Sequence, residues 1–235
     1  ATVRHALEVL RRLSNFATKH NLCSGIRFVI EMPKVNNLMT ENLTPEEYNR
    51  LENLLDEEED IQAANLLRFA LFTGMRRGEL FKLKWKDINF NTKIILIRDP
   101  KSGLDETIPI NEIALSVLDK HPKTESEFVF PGLGGNQRKT TPRPLRRIIK
   151  KAGLNNFRPF HGLRHAYASN LASSGKVDLY KLQKLLTHKS PLMTQRYAHL
   201  SNDALMEASN VISDLTKSHQ NITELDELKI GKGES

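Results

Sequence analysis

Residues 61–72, IQAANLLRFALF, form a run of helix-favouring apolar residues interrupted only by Gln62, Asn65 and Arg68. A helix this apolar has to lie deep in a core with other elements packed round it. Gly74 supplies its stop, and two arginines, Arg76 and Arg77, follow almost at once. The cover is helical as well. Residues 111–119, 144–152, 161–173, 178–187, 191–198 and 203–216 carry apolar positions at helical spacing. Between the central helix and these segments, residues 88–97 (INFNTKIILI) alternate as a strand pair around Asn91-Thr92, and residues 106–110 read as another strand. The expectation is a mainly α architecture with a small antiparallel β-sheet, and Lys101 at the tip of its hairpin.

Upstream, residues 3–20 predict a helix with Val3, Leu7, Leu10 and Leu13 roughly in one stripe. Residues 31–42, EMPKVNNLMTEN, read as a linker. Thr44-Pro45-Glu46-Glu47 then opens a new helix, with Thr44 as N-cap, Pro45 in the first turn and Glu47 completing a capping box. A boundary near residue 40 follows. The chain starts at Ala1 inside a helical pattern, which is the expectation for a piece of a longer protein. Residues 217–235 form a polar tail with irregularly spaced apolar positions.

Charge adds a partner class. Lys and Arg outnumber Asp and Glu by 35 to 28, giving +7 and a pI near 9.5, which suits a polyanion. The distribution is more telling, because residues 138–151 hold Arg138, Lys139, Arg143, Arg146, Arg147, Lys150 and Lys151 and no acid. That stretch is expected to contact phosphates. The acidic run at residues 56–60 reads as a solvated helix end. Cys23 is the single cysteine, so no internal disulfide and no cysteine metal cluster can form, and a reducing cytoplasm fits best. No apolar run approaches the roughly 20 residues that span a bilayer.

The candidate chemistry lies in separated strings: Thr73-Gly74-Met75-Arg76-Arg77-Gly78-Glu79, His161-Gly162-Leu163-Arg164-His165, Leu186-Thr187-His188 and Tyr197. His161 and Arg164 at i, i+3 share a helix face and can address one phosphate. His165 is expected to face elsewhere, as a buried, hydrogen-bonded core residue. Ser190 and Pro191 suit the N-cap and first turn of a short helix carrying Tyr197, with His188 just before it. Taken in order, Arg76, Lys101, His161, Arg164, His188 and Tyr197 supply a phenol nucleophile and five nitrogen groups. That is what exchange at a phosphodiester needs when no metal holds the phosphate.

In these strings the chain resembles the tyrosine recombinases, and within them the phage-type integrases. The family pattern is an arginine in TGxRxxE, a lysine in a β-hairpin, HxxR, a histidine in an LGH-like string, and a tyrosine about nine residues later. Residues 40–200 or so carry it, and the one small departure is Thr187 where the family usually has glycine. The resemblance implies a catalytic domain over residues 40–216, preceded at residues 1–36 by the last part of a helical core-binding domain. It implies double-stranded DNA as partner, a homotetramer at synapsis, and a C-terminal tail able to dock on a neighbouring protomer. Tyr197 Oη would attack a backbone phosphorus, leaving a 3′-phosphotyrosyl bond and a free 5′-hydroxyl. The ester is exchanged without a nucleotide cofactor. Arg76 and Arg164 would bind the non-bridging oxygens, a task lysine does less well. His188 would add a donor and His161 would act as base, since a phenol is only about one part in a thousand ionised at neutral pH. Lys101 would protonate the leaving oxygen. Integration or excision of a phage or mobile element is the expected task. Chromosome-dimer resolution and DNA relaxation of the type IB topoisomerase kind are the alternatives within the same chemistry.

Overall fold

The computed structural model describes residues 2–34, 42–98, 104–155 and 157–201. Lys101, the helical pattern at 203–216 and the tail at 217–235 lie outside the described residues. The chain divides into two compact units, Ala1–Met39 and Thr40–Ser235. In the first, helix α1 (Thr2–Lys19) buries none of its residues, and Val3, Leu10, Leu13 and Phe16 are exposed.

The second unit is built round the apolar run. Helix α2 (Pro45–Asp56) starts with the expected capping box: Thr44 Oγ1 accepts from Glu47 N, and Glu47 Oε2 accepts from Thr44 N at 2.9 Å. Helix α3 (Ile61–Thr73) is capped by Asp60, which accepts from Ala63 N, and is stopped by Gly74 in the left-handed conformation at φ 62°. It packs against α2 and against α5 (Glu112–Asp119), α6 (Arg143–Lys151) and α7 (Pro159–Ser173). Leu66, Leu67 and Phe69 are fully buried, each contributing about 1.5–3 kcal/mol relative to exposure. The polar interruptions find partners: Asn65 Nδ2 pairs with His121 Nδ1 at 3.0 Å, and Arg68 bonds to Glu52 and Asp56.

After α4 (Arg77–Lys82) come β1 (Ile88–Asn89), β2 (Ile94–Ile97) and β3 (Glu106–Pro109), an antiparallel sheet in the order β1-β2-β3. Ile95 lies opposite both Ile88 and Ile108, and all three point into the core. Two boundaries differ from the sequence pattern and matter for the site. Helix α8 (Leu179–Leu185) stops short of residue 187 because Thr187 is left-handed, at φ 48°. Helix α9 (Pro191–Gln195) ends before Tyr197, whose N–H donates to Thr194 O, so the tyrosine lies in a tightened turn leading into the 3-10 helix Ala198–Ser201. No described helix is long and apolar enough to cross a membrane.

Candidate active site

Helix α3 and its glycine stop set the position of the first arginine. Gly74 turns the chain so that Met75 is buried and Arg76 heads α4, where Glu79 holds it twice. Glu79 Oε2 accepts from the Arg76 backbone N–H at 2.8 Å, and Oε1 accepts from Nη1 at 2.7 Å. Across 111 residues of sequence, Thr187 completes the grip: Nη1 also donates to Thr187 Oγ1 at 2.5 Å and Nη2 to Thr187 O at 2.9 Å. These bonds engage both Nη1 hydrogens and one on Nη2. The Nε–H and the second Nη2–H remain on one edge, the fork that binds two phosphate oxygens.

The second arginine is seated by the same glycine. Arg164, on α7, donates from Nη1 to Gly74 O at 2.7 Å and from Nη2 to Leu186 O. It is buried, and burial, reinforced by Arg76, lowers its pKa to about 10, still fully charged at neutral pH. A side chain at Gly74 is excluded twice, by its φ and by Tyr167, whose Cδ1 would stand 2.4 Å from a Cβ there. One short turn therefore fixes both guanidiniums.

Both arginines line a cleft of about 310 Å³ with Arg77, Arg146, Arg158, Thr141 and His161, and no carboxylate is among the described residues that line it. Five guanidiniums in so small a space form a site for an anion with several oxygens. His161 is exposed at this cleft, in the first turn of α7. His188 Nδ1 lies 2.8 Å from Thr194 Oγ1, and burial, then Arg164 and Arg76, push its pKa down to about 3, so it is neutral at pH 7. If the Thr194 hydroxyl donates, Nε2 of His188 carries the ring proton and is a donor.

Tyr197 is 2 % exposed and packs among Ala168, Ala172, Leu182 and Leu186. Its hydroxyl meets His165, not His161: Oη lies 2.5 Å from His165 Nδ1, and His165 Nε2 lies 3.0 Å from His161 Nε2. His165 is buried and hydrogen-bonded as the sequence predicts, but it faces the site rather than away from it. The signal was present, since His161 and His165 are at i, i+4 and share a face as fully as the i, i+3 pair. Burial, then His161 and the arginines Arg196, Arg158 and Arg164, hold the His165 pKa at about 3. Burial raises that of Tyr197, against Arg196 and Arg164.

The basic stretch separates into different jobs. Arg146 joins the cleft, whereas Arg138 donates to the carbonyls of Phe130 and Pro131, and Arg147 grips both Glu58 oxygens at 2.8 Å. Lys139, Arg143, Lys150 and Lys151 are exposed. Arg158 and Thr141 are cleft residues outside the quoted strings, and Arg77 stands at a position that the TGxRxxE pattern leaves open. Among the described residues no group of three His, Cys, Asp or Glu is placed to hold a metal ion.

Thr187 is a β-branched residue in a backbone region that disfavours branching. Its backbone is one that glycine adopts freely, and its hydroxyl gives Arg76 an acceptor. Thr187→Val keeps the branch and loses the acceptor. Thr187→Gly is therefore expected to be the more stable of the two variants by about 1–2 kcal/mol, read by urea denaturation. Equal stability would mean that no strain resides there.

A mainly helical domain that gathers two seated arginines, histidines and a buried tyrosine at an anion cleft defines a class. The chain belongs to the phage integrase family, whose model matches residues 41–203. It is 31% identical over 186 residues to the tyrosine recombinase XerA of Pyrococcus horikoshii, covering 76% of this chain and 64% of that protein. It is 30% identical over 202 residues to the integrase of Salmonella phage P22, covering 80% of this chain and 51% of that one. The chain thus spans about half to two thirds of the length of these relatives. Among solved structures, it matches that of XerA recombinase with a TM-score of 0.59 at 25% identity, over 86% of this chain and 73% of the other. The Tn1549 transposon integrase in complex with transposon right end DNA shares the fold, with a TM-score of 0.75 at 18% identity over 90% and 79%.

Proposed function

We propose that this chain is the catalytic part of a site-specific DNA recombinase that cuts and rejoins strands through a 3′-phosphotyrosyl intermediate at Tyr197. The observation that carries the reading is the paired seating of Arg76 and Arg164 by the Gly74 turn and residues 186–187, at a cleft lined by five arginines and by no acid among the described residues. A scissile phosphate bound there has its non-bridging oxygens met by two guanidiniums before charge develops on them. Preorganised donors of this kind are typically worth about 3–4 kcal/mol each. His188 adds a neutral donor.

Attack brings Tyr197 Oη from its buried seat to the phosphorus, forms the Oη–P bond and breaks the bond to the 5′-oxygen, which receives a proton from Lys101 in this reading. Reversal by a different 5′-hydroxyl joins new strands. A homotetramer on two duplexes, and integration or excision of a mobile element, complete the proposal. Proteins such as XerA and the P22 integrase, similar to this chain, carry recombinase and integrase names.

The test uses nicked duplexes from a random-sequence library, captured on the protein under denaturant, with the adduct mapped by peptide sequencing. Strand exchange between two captured duplexes then separates recombination from relaxation of one. No adduct at Tyr197 overturns the reading. Binding to duplex DNA is expected to weaken by at least about tenfold between 50 and 200 mM salt, with a shallower slope when Arg146 and Lys150 are replaced by glutamine. A slope unchanged by that replacement would remove the α6 face from the DNA path.

A further inference from the structure

The six-residue pattern leaves out the group that is hydrogen-bonded to the nucleophile's hydroxyl among the described residues. Tyr197 Oη lies 2.5 Å from His165 Nδ1, and the far nitrogen of that ring lies 3.0 Å from His161 Nε2, with the two imidazoles edge to face. His161 has no direct contact with the phenol among these bonds. We propose that His165 is the catalytic residue that takes the proton from Tyr197, and that it passes its own ring proton to His161 at the cleft mouth. The inference deepens the proposed reaction and rests on Tyr197 being its nucleophile.

The direction of the wire follows from hydrogen-bond supply. Tyr197 is buried, and His165 Nδ1 is the one hydrogen-bond partner of its hydroxyl among the described residues. A phenol accepting there would leave its own O–H buried without an acceptor, which is the costlier arrangement. The hydroxyl therefore donates to Nδ1. His165 is then the tautomer with its proton on Nε2, and that proton points at His161 Nε2. His161 is exposed, so the proton reaches solvent there.

The step balances without another reactant. The Oη proton moves to His165 Nδ1, the His165 Nε2 proton moves to His161 Nε2, Oη–P forms, and the electron pair of the P–O5′ bond leaves with the 5′-oxygen, which takes up the proton assigned above to the general acid. The charges around His165 make the transfer depend on DNA. Those that face it are His161, Arg158 and Arg164 from α7 and its N-cap, and Arg196 beside Tyr197, with His188 also close. None of these groups is an acid, and burial, then His161, Arg196, Arg158 and Arg164, oppose protonation of His165. A phosphodiester bound in the cleft at Arg158 and Arg164 places a negative charge among them and raises the proton affinity of His165 only when substrate is present. The phenolate so formed is drawn toward the same guanidiniums.

The test measures the rate of covalent adduct formation on a nicked duplex by the whole chain and by His165→Ala, His165→Asn and His165→Phe, each shown folded by its melting curve. Asparagine can accept a hydrogen bond near the Nδ1 position but cannot take the proton. The alanine and asparagine variants are both expected to lose about a hundredfold or more in rate, and added imidazole is expected to restore part of the alanine loss. The loss should persist on a substrate with sulfur as the 5′ leaving atom, which relieves the need for an acid and not for a base. An asparagine variant within about threefold of the unmodified chain would reduce His165 to a positioning residue and overturn the proposal. A faster phenylalanine variant would overturn it too, by showing that the bond restrains the phenol. Failure of the unmodified chain to form any adduct at Tyr197 would instead remove the underlying reaction.

Discussion

Tyr197→Phe is expected to form no covalent DNA adduct at any time, while keeping its fold and its affinity for duplex DNA. The phenyl ring keeps every packing contact with Ala168, Ala172, Leu182 and Leu186, because only the hydroxyl is removed. The loss falls on one bond, that from Oη to His165 Nδ1, and leaves a buried ring nitrogen without its donor. Such a group costs about 1–3 kcal/mol, enough to lower the melting temperature by several degrees without unfolding the domain. The chemistry has no comparable reserve, since no other atom at that position can form the ester. Denaturing electrophoresis of protein mixed with nicked duplex reads the adduct, and salt-dependent binding of the same samples reads affinity. A persisting adduct would place the nucleophile elsewhere, with the exposed Tyr180 first to be tested.

Local rules carried the sequence reading a long way. The capping box at Thr44 and Glu47, the stop at Gly74 and the N-cap at Ser190 each follow from backbone donors and one conformation, so they are visible in four or five consecutive residues. Burial of α3 follows from composition alone. What stayed hidden is the choice of partner at a distance. The grip of Thr187 on Arg76 spans 111 residues, and the hold of Glu58 on Arg147 spans 89. A charge count over residues 138–151 sees one face where the fold makes three environments, because it cannot know which carbonyls and carboxylates the folded chain brings up. The same limit applies to His165, whose meeting with Tyr197 depends on the tightened turn after α9.

Arg164→Lys is expected to combine a large loss of rate with a measurable loss of stability, and its two effects have separate causes. In the folded chain the guanidinium bridges Gly74 O and Leu186 O, joining the stop of α3 to the end of α8, while its remaining N–H groups serve the cleft. A lysine ammonium is a point donor and cannot span both carbonyls and two phosphate oxygens at once. One buried carbonyl is left unpaired, at about 1–3 kcal/mol, and the Leu186–Thr187 backbone that also holds Arg76 loses its tether. On the chemical side, loss of one preorganised donor set costs about a hundredfold to a thousandfold in rate. Adduct formation well below the melting temperature isolates that term from unfolding. Added guanidinium is expected to restore part of the rate to Arg164→Ala, whose cavity admits it, and none to Arg164→Lys, whose side chain fills the space. If Arg164→Lys cleaved at the unmodified rate while melting early, Arg164 would be a brace between Gly74 and Leu186 alone, and Arg76 would have to carry the phosphate by itself.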